Sequence, residues 1–281
     1  MLETKGLTVT FGGLNANDSV DIEVPEGSFV GLIGPNGAGK TTFIDAITGF
    51  VSTSSGTATF DGQPLLEMAP HERARRGLVR TFQSLELFED LSVEDNLYAA
   101  ADDPRWWEFL ADMVWPTRSG RNEAVERAIE AMDLEEHRHA LPRDLSHGQR
   151  KLVGVARALA ADPKLILFDK PAAGLDTTKS QLLGARLRRF LERGMTVFLI
   201  DHDMGLVLSV CDYIYVLDFG RIIAEGTPRE IGENPDVIMA CLGEGVGESQ
   251  AAEAEAVRRA TNVTKAGHDG ADGADGRKAQ A

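Results

Sequence analysis

The chain has 281 residues, enough to bury a large core, and its 43% hydrophobic and 26% charged content is that of a soluble globular protein. A formal net charge of −15 argues against a nucleic-acid-binding surface, because phosphate contacts need clustered Lys and Arg. The cysteines, Cys211 and Cys241, stand far apart without a CxxC pair, so neither a disulfide framework nor a zinc site is indicated. No apolar run reaches the ~20 residues that span a bilayer. The N-terminus lacks the charged-then-apolar pattern of a signal peptide, so any membrane role is expected to come through partners.

In chain order, Leu2 to Thr10 alternates partially and Val20 to Val24 follows, both read as strands before a turn at Pro25-Glu26-Gly27. Phe29 to Ile33 is an apolar run that ends at Gly34, with a helix expected to begin near Lys40. Thr57 to Phe60 with Asp61-Gly62 predicts a hairpin. From about Ser84 to Ala161 the pattern turns helical, with a capping box at Ser92-Val93-Glu94-Asp95 and an amphipathic stretch from Asn122 to Met132. Trp106, Trp107 and Trp115 gather in this region beside Phe109, either as a packing cluster or as a docking face. After Pro163, the segments Leu165 to Phe168, Thr178 to Arg193 and Thr196 to Ile200 read as strand, helix and strand. That order implies a parallel α/β sheet with right-handed crossovers. Tyr213 to Leu217 and Arg221 to Ala224 flank Asp218-Phe219-Gly220 as a last hairpin. Residues 243–281, rich in Ala, Gly, Glu and Asp, are expected to be disordered.

Three patterns carry chemistry. Gly34-Pro35-Asn36-Gly37-Ala38-Gly39-Lys40-Thr41 fits the phosphate-loop pattern G-x-x-x-x-G-K-[ST] and stands between a strand and a helix. Glycines there let backbone N–H groups surround a β-phosphate, Lys40 neutralises β/γ charge, and the Thr41 hydroxyl is a magnesium ligand. Leu165 to Asp169 is an apolar strand ending in a carboxylate, which at the carboxyl end of a parallel strand faces a nucleotide and holds Mg²⁺ through water. Leu145-Ser146-His147-Gly148-Gln149 precedes the helical run Lys151 to Ala161. Two readings stand there: an ordinary helix start capped by Ser146 and Gln149, or a positive helix end that approaches a phosphate of a second molecule.

The order of phosphate loop, Gln83, Leu-Ser-His-Gly-Gln, strand-end Asp169 and His202 resembles the ABC transporter ATPase family over roughly Leu2 to Leu242. The resemblance implies a P-loop NTPase cassette over residues 1–242. Its parts would be a RecA-like α/β lobe, an N-terminal antiparallel β subdomain and a helical subdomain inserted over 84–161. It further implies ATP and Mg²⁺ as ligands and an ATP-sandwich dimer. Phe11 would then stack on adenine, and residues 34–42, through Thr42, would cradle phosphate. Gln83 would sense Mg²⁺ and link to a permease, and Ser146, Gly148 and Gln149 would contact the partner's ATP. Asp176 would lie on the dimer-facing loop and His202 would contact γ-phosphate. Phe11-Gly12-Gly13-Leu14, Arg80-Thr81-Phe82-Gln83, Pro171-Ala172-Ala173-Gly174-Leu175 and Asn234-Pro235-Asp236-Val237-Ile238 look like the ATPase subunit of branched-chain amino-acid importers, a subfamily that also serves urea and amides. Such subunits sit on the cytoplasmic face of the plasma membrane. Their partners are integral-membrane permeases, a second ATPase and, indirectly, an extracytoplasmic solute-binding protein. A soluble ABC protein of translation or DNA repair is the other class, but this chain has one cassette and no sustained heptads.

One position departs from the pattern. The family places Glu after the strand-end Asp, and this chain reads Asp169-Lys170-Pro171. A lysine ammonium has no acceptor with which to orient water. Three readings follow: a weakened site within a heterodimer, an altered copy that traps the ATP-bound dimer, or compensation by Asp201 beside His202. An ATP-binding regulatory subunit without turnover is a fourth use of the same chemistry.

Overall fold

The computed structural model describes residues 1–81, 87–101, 119–191 and 194–242. Gln83, the three tryptophans and the expected disordered segment 243–281 lie outside the described residues.

Two sheets organise the chain. Strands β1 (Leu2–Phe11) and β2 (Leu14–Val24) pair antiparallel, and β4 (Ser55–Phe60) and β5 (Gln63–Pro64) extend that sheet in the order β2-β1-β4-β5. The β4–β5 pairing, Phe60 opposite Gln63, closes the hairpin expected at Asp61-Gly62. β2 begins at Leu14 rather than near Val20, because pairing with β1 holds its polar first half in the sheet where side-chain pattern alone gives no signal.

The larger sheet runs β10-β9-β3-β8-β7-β6. Its members are β3 (Phe29–Ile33), β6 (Leu78–Thr81), β7 (Leu165–Asp169), β8 (Thr196–Ile200), β9 (Tyr213–Asp218) and β10 (Arg221–Gly226). All neighbours are parallel except β10, which returns antiparallel to β9. Every residue of β3, β7 and β8 is buried, as expected of parallel strands covered on both faces. The strand period of two divides them between two cores. Leu165, Leu167, Phe198 and Ile200 face the core shared with the small sheet and helix α1 (Lys40–Thr48), where Phe43 meets Phe198 edge-on at 6.2 Å. Ile166, Phe168, Val197 and Leu199 face the helical layer.

That layer contains α3 (Val93–Ala101), α4 (Ser119–Met132), α5 (His147–Ala160), α6 (Thr177–Arg188) and α7 (Met204–Val210), preceded in the chain by α2 (Pro70–Arg75) and followed by α8 (Pro228–Glu233) and α9 (Pro235–Leu242). Helix α3 is entered through Ser92, whose hydroxyl accepts the Asp95 N–H at 3.1 Å and donates to the Asp95 carboxylate at 2.6 Å. Helix α6 stops at Arg188 instead of reaching Arg193. Phe190 must turn into the core, and Gly194 takes a φ of +78° on the way into β8.

Candidate nucleotide-binding site

β3 delivers the chain into the 34–41 loop, and β9 passes beside it. Gly34 has φ +147°, and a Cβ there would lie 1.9 Å from the Leu217 carbonyl oxygen. Gly39, in the left-handed region at φ +103°, caps α1, and a Cβ on it would come within 2.3 Å of the Ala16 oxygen. Both positions therefore require glycine on conformational and steric grounds. The loop is held from outside: the Asn17 side-chain amide donates to the Gly39 carbonyl at 3.2 Å, and the Gly220 N–H donates to the Ala38 carbonyl at 2.9 Å. Lys40 is buried, and its Nζ donates to the carbonyls of Gly34 and Pro35 at 2.6 Å each. Asn36, Gly37 and Thr41 are exposed, Pro35 and Thr42 are half-buried, and Ala38 is buried. No side chain caps the start of α1, so its first N–H groups are donors for an anion in the loop.

Asp169 ends β7 and is buried. Its Oδ2 accepts from Arg80 Nη2 at 2.9 Å, and its N–H donates to Thr81 Oγ1 at 3.4 Å. Arg80 turns its other arm to Asp45 of α1, with Nη1 2.5 Å from Oδ1. β6 therefore joins the strand-end carboxylate to the helix that leaves the phosphate loop. As sequence, Leu78 to Thr81 gave no strand signal, and this bridge was missed with it. Only the Arg80-Thr81-Phe82-Gln83 pattern pointed to the segment.

Lys170 sits in the left-handed region at φ +49°, half-buried, with its N–H donating to the Ile200 carbonyl at 2.7 Å. A non-glycine residue at such an angle is uncommon and costs on the order of 1 kcal/mol. His202 follows β8 with a side chain 58% exposed, its Nδ1 3.2 Å from Asp201 Oδ1. Asp201 itself has no exposed surface. Its Oδ1 accepts the N–H groups of His202 at 2.7 Å and Asp203 at 3.1 Å, and its Oδ2 accepts that of Ala172 at 3.5 Å. Those bonds make Asp201 the hub of two loops, with both carboxylate oxygens engaged by backbone N–H groups. Lys151 of α5 reaches the same place, with Nζ 3.5 Å from the Pro171 carbonyl. Burial pulls the Lys151 ammonium below its ordinary pKa, and Asp201 opposes that pull.

The Ser146 turn forms the expected capping box. Ser146 Oγ accepts the Gln149 N–H at 3.3 Å, and Gln149 Oε1 accepts the Ser146 N–H at 2.8 Å. The Gln149 amide also meets His137 Nε2 at 2.6 Å. Among the described residues, a Cβ on Gly148 would meet only Leu175 Cδ2, at 3.9 Å, so none of them requires glycine there. Asp176 is exposed and caps α6, accepting the Lys179 N–H at 2.9 Å while Lys179 Nζ stands 2.8 Å away. The Lys179 side chain and N–H hold its carboxyl below the usual range. Phe11, paired across the hairpin with Leu14, is 52% exposed.

The phosphate loop, His202, Asp169 with Lys170, and Arg80 thus gather at the carboxyl ends of neighbouring strands β3, β8, β7 and β6, the edge where open α/β sheets bind ligands. The Ser146 turn lies instead against the 171–175 loop. The hydroxyl of Thr41 and the carboxylate of Asp169 are hard oxygen donors suited to Mg²⁺. Among the described residues no cluster of three metal-ligating side chains occurs, and an ion shared with substrate phosphates needs none.

Residues 17–173 match the family described as ABC transporter, and 221–247 match the branched-chain amino acid ATP-binding cassette transporter family. The chain belongs to the ABC transporter family. This cassette is 40% identical over 252 residues to the high-affinity branched-chain amino acid transport ATP-binding protein BraF of Pseudomonas aeruginosa, covering 87% of the chain and 98% of the relative. It is similar in fold to an ABC transporter ATP-binding cassette solved in its ADP conformation, with TM-score 0.76, 30% identity and coverage of 86% and 98%. A dimeric bacterial ABC transporter cassette matches with TM-score 0.68, 25% identity and coverage of 82% and 99%. The fold is that of the ABC ATPase cassette, and no helix among the described residues is long and apolar enough to cross a membrane.

Proposed function

We propose that this cassette is the ATP-binding, energy-coupling subunit of an importer for branched-chain amino acids or related small solutes, and that hydrolysis at its own phosphate loop is impaired by Lys170. The observation that carries the reading is the convergence of the phosphate loop, Asp169 and His202 at one sheet edge, in a chain whose relative is a branched-chain amino acid transport ATP-binding protein. Residues 1–242 form the cassette, with 84–161 as its helical insertion and 243–281 as a tail. Residues 34–42 bind the phosphates through backbone N–H groups and Lys40, and Phe11 provides the adenine face. Thr41, Asp169 and Gln83 hold Mg²⁺, which when bound neutralises phosphate charge. His202 reaches the γ-phosphate.

The open space at Gly148 supports the second half of the reading. A bare first turn that no described residue fills suits the phosphates of a second cassette, with Ser146 and Gln149 beside it and Asp176 on the facing loop. ATP closes the pair, a permease follows, and the complex rests on the cytoplasmic face of the membrane with a solute-binding protein on the other side. In a heterodimer, Lys170 would silence one site while the Ser146 turn serves the partner's. Lys170 also favours a second reading, a regulatory subunit that binds ATP without turnover.

The purified chain should bind ATP and hydrolyse it at least about 100-fold more slowly than its Lys170→Glu variant, the span of a lost general base. Equal, robust rates would sink the claim of impairment. Turnover absent even from the complex with permease and partner would favour the regulatory reading.

A further inference from the structure

Asp169, the carboxylate proposed to hold Mg²⁺, already carries a cation of this chain. Asp169 and Arg80 form an ion pair at 2.9 Å with side chains 8% and 9% exposed, so salt screens it little. Arg80 also pairs with Asp45 at 2.5 Å. Lys170, the next residue after Asp169, is half-buried and fixed at its backbone by the bond to Ile200. Asp45, Arg80, Asp169 and Lys170 carry formal charges that cancel. A glutamate at 170 would give the same four residues a net charge of −2. A divalent cation is drawn by such negative charge, and a neutral cluster draws it far less.

We propose that Arg80, with Lys170, supplies the positive charge at Asp169 that a divalent cation would otherwise supply, so that this chain holds ATP with weak dependence on Mg²⁺. Arg80 is a positioning residue: it fixes Oδ2 of Asp169, ties β7 to α1 through Asp45, and lies three residues before Gln83. The inference rests on the nucleotide-binding reading of the phosphate loop.

The test is the ATP affinity of the intact chain, measured by calorimetry with Mg²⁺ and then with EDTA. The wild-type dissociation constant should change by no more than about threefold on metal removal. Lys170→Glu and Arg80→Gln should each raise that ratio to about tenfold or more. Arg80→Lys, which keeps the charge, should stay near the wild-type ratio. A merely structural Arg80 would alter thermal stability and affinity in both buffers alike, without moving the ratio. If Arg80→Gln does not fold, the Lys170→Glu ratio decides alone. A wild-type ratio of tenfold or more that the variants leave unmoved overturns the proposal while leaving ATP binding intact. Failure of the wild type to bind ATP in either buffer overturns the nucleotide-binding reading and this inference with it.

Discussion

Replacing Asp201 by alanine should destabilise the cassette by about 3–5 kcal/mol, the span for leaving two or three buried N–H groups without their charged acceptor. The figure follows from the site. The carboxylate has no exposed surface, accepts three N–H groups from two loops, and sits in the field of the buried Lys151 ammonium. Each bond to a charged acceptor is worth roughly 1.5–3 kcal/mol, and the 3.5 Å bond from Ala172 belongs at the bottom of that range or below. Asp201→Asn keeps the shape and one acceptor oxygen, and should cost about half as much. In a fold of this size the alanine change corresponds to roughly 6–20 °C in Tm. Guanidinium unfolding at 25 °C, followed by a thermal scan, measures both. Because the buried Lys151 ammonium then loses the Asp201 charge that offsets its burial, Asp201→Ala combined with Lys151→Met should cost less than the sum of the single changes. A loss below about 1 kcal/mol for Asp201→Ala, together with a collapse of ATP turnover, would refute the reasoning and return Asp201 to the role of base.

Gly148→Ala should leave unfolding stability within about 0.5 kcal/mol of wild type, since alanine suits a helix better and its Cβ meets only Leu175; size-exclusion with ATP should show lost dimerisation. Gly34→Ala should do the reverse. With a Cβ 1.9 Å from the Leu217 oxygen, it should cost at least about 2 kcal/mol and abolish ATP binding in a filter assay. Glu230, bonded by the Thr227 N–H and hydroxyl, has its carboxyl held below the ordinary 4.5. The folded value being the lower one, its contribution is present above about pH 4.5 and lost as pH falls through the folded pKa. Tm measured from pH 6 to pH 3 should therefore decline less steeply in Glu230→Gln than in wild type.

Much of the site was legible because each motif reports a local requirement. Gly34 and Gly39 announce a backbone no other residue adopts, Ser146 and Gln149 announce a helix start, and four apolar residues before Asp169 announce a buried strand. Arg80 was not legible as a partner of Asp169. Its strand is four residues long with an arginine in it, and its partners Asp45 and Asp169 are distant in sequence. The surroundings of Asp201 were hidden for the same reason. Sequence places a carboxylate beside His202 but cannot say that loop amides already occupy it. The polar first half of β2 was hidden because ladder pairing, which leaves no side-chain signature, makes it a strand.

The bond from Gly220 to Ala38 has a consequence for how the protein comes into being. The phosphate loop is encoded near the start of the chain, yet its mould is completed by Leu217 and Gly220 near the end of the cassette. On the ribosome, the loop emerges well before them, with Asn17 at hand for Gly39 but without the bond from Gly220. Closure over so long a stretch is entropically slow, so the capacity to grip phosphate should arrive abruptly, when the last hairpin docks.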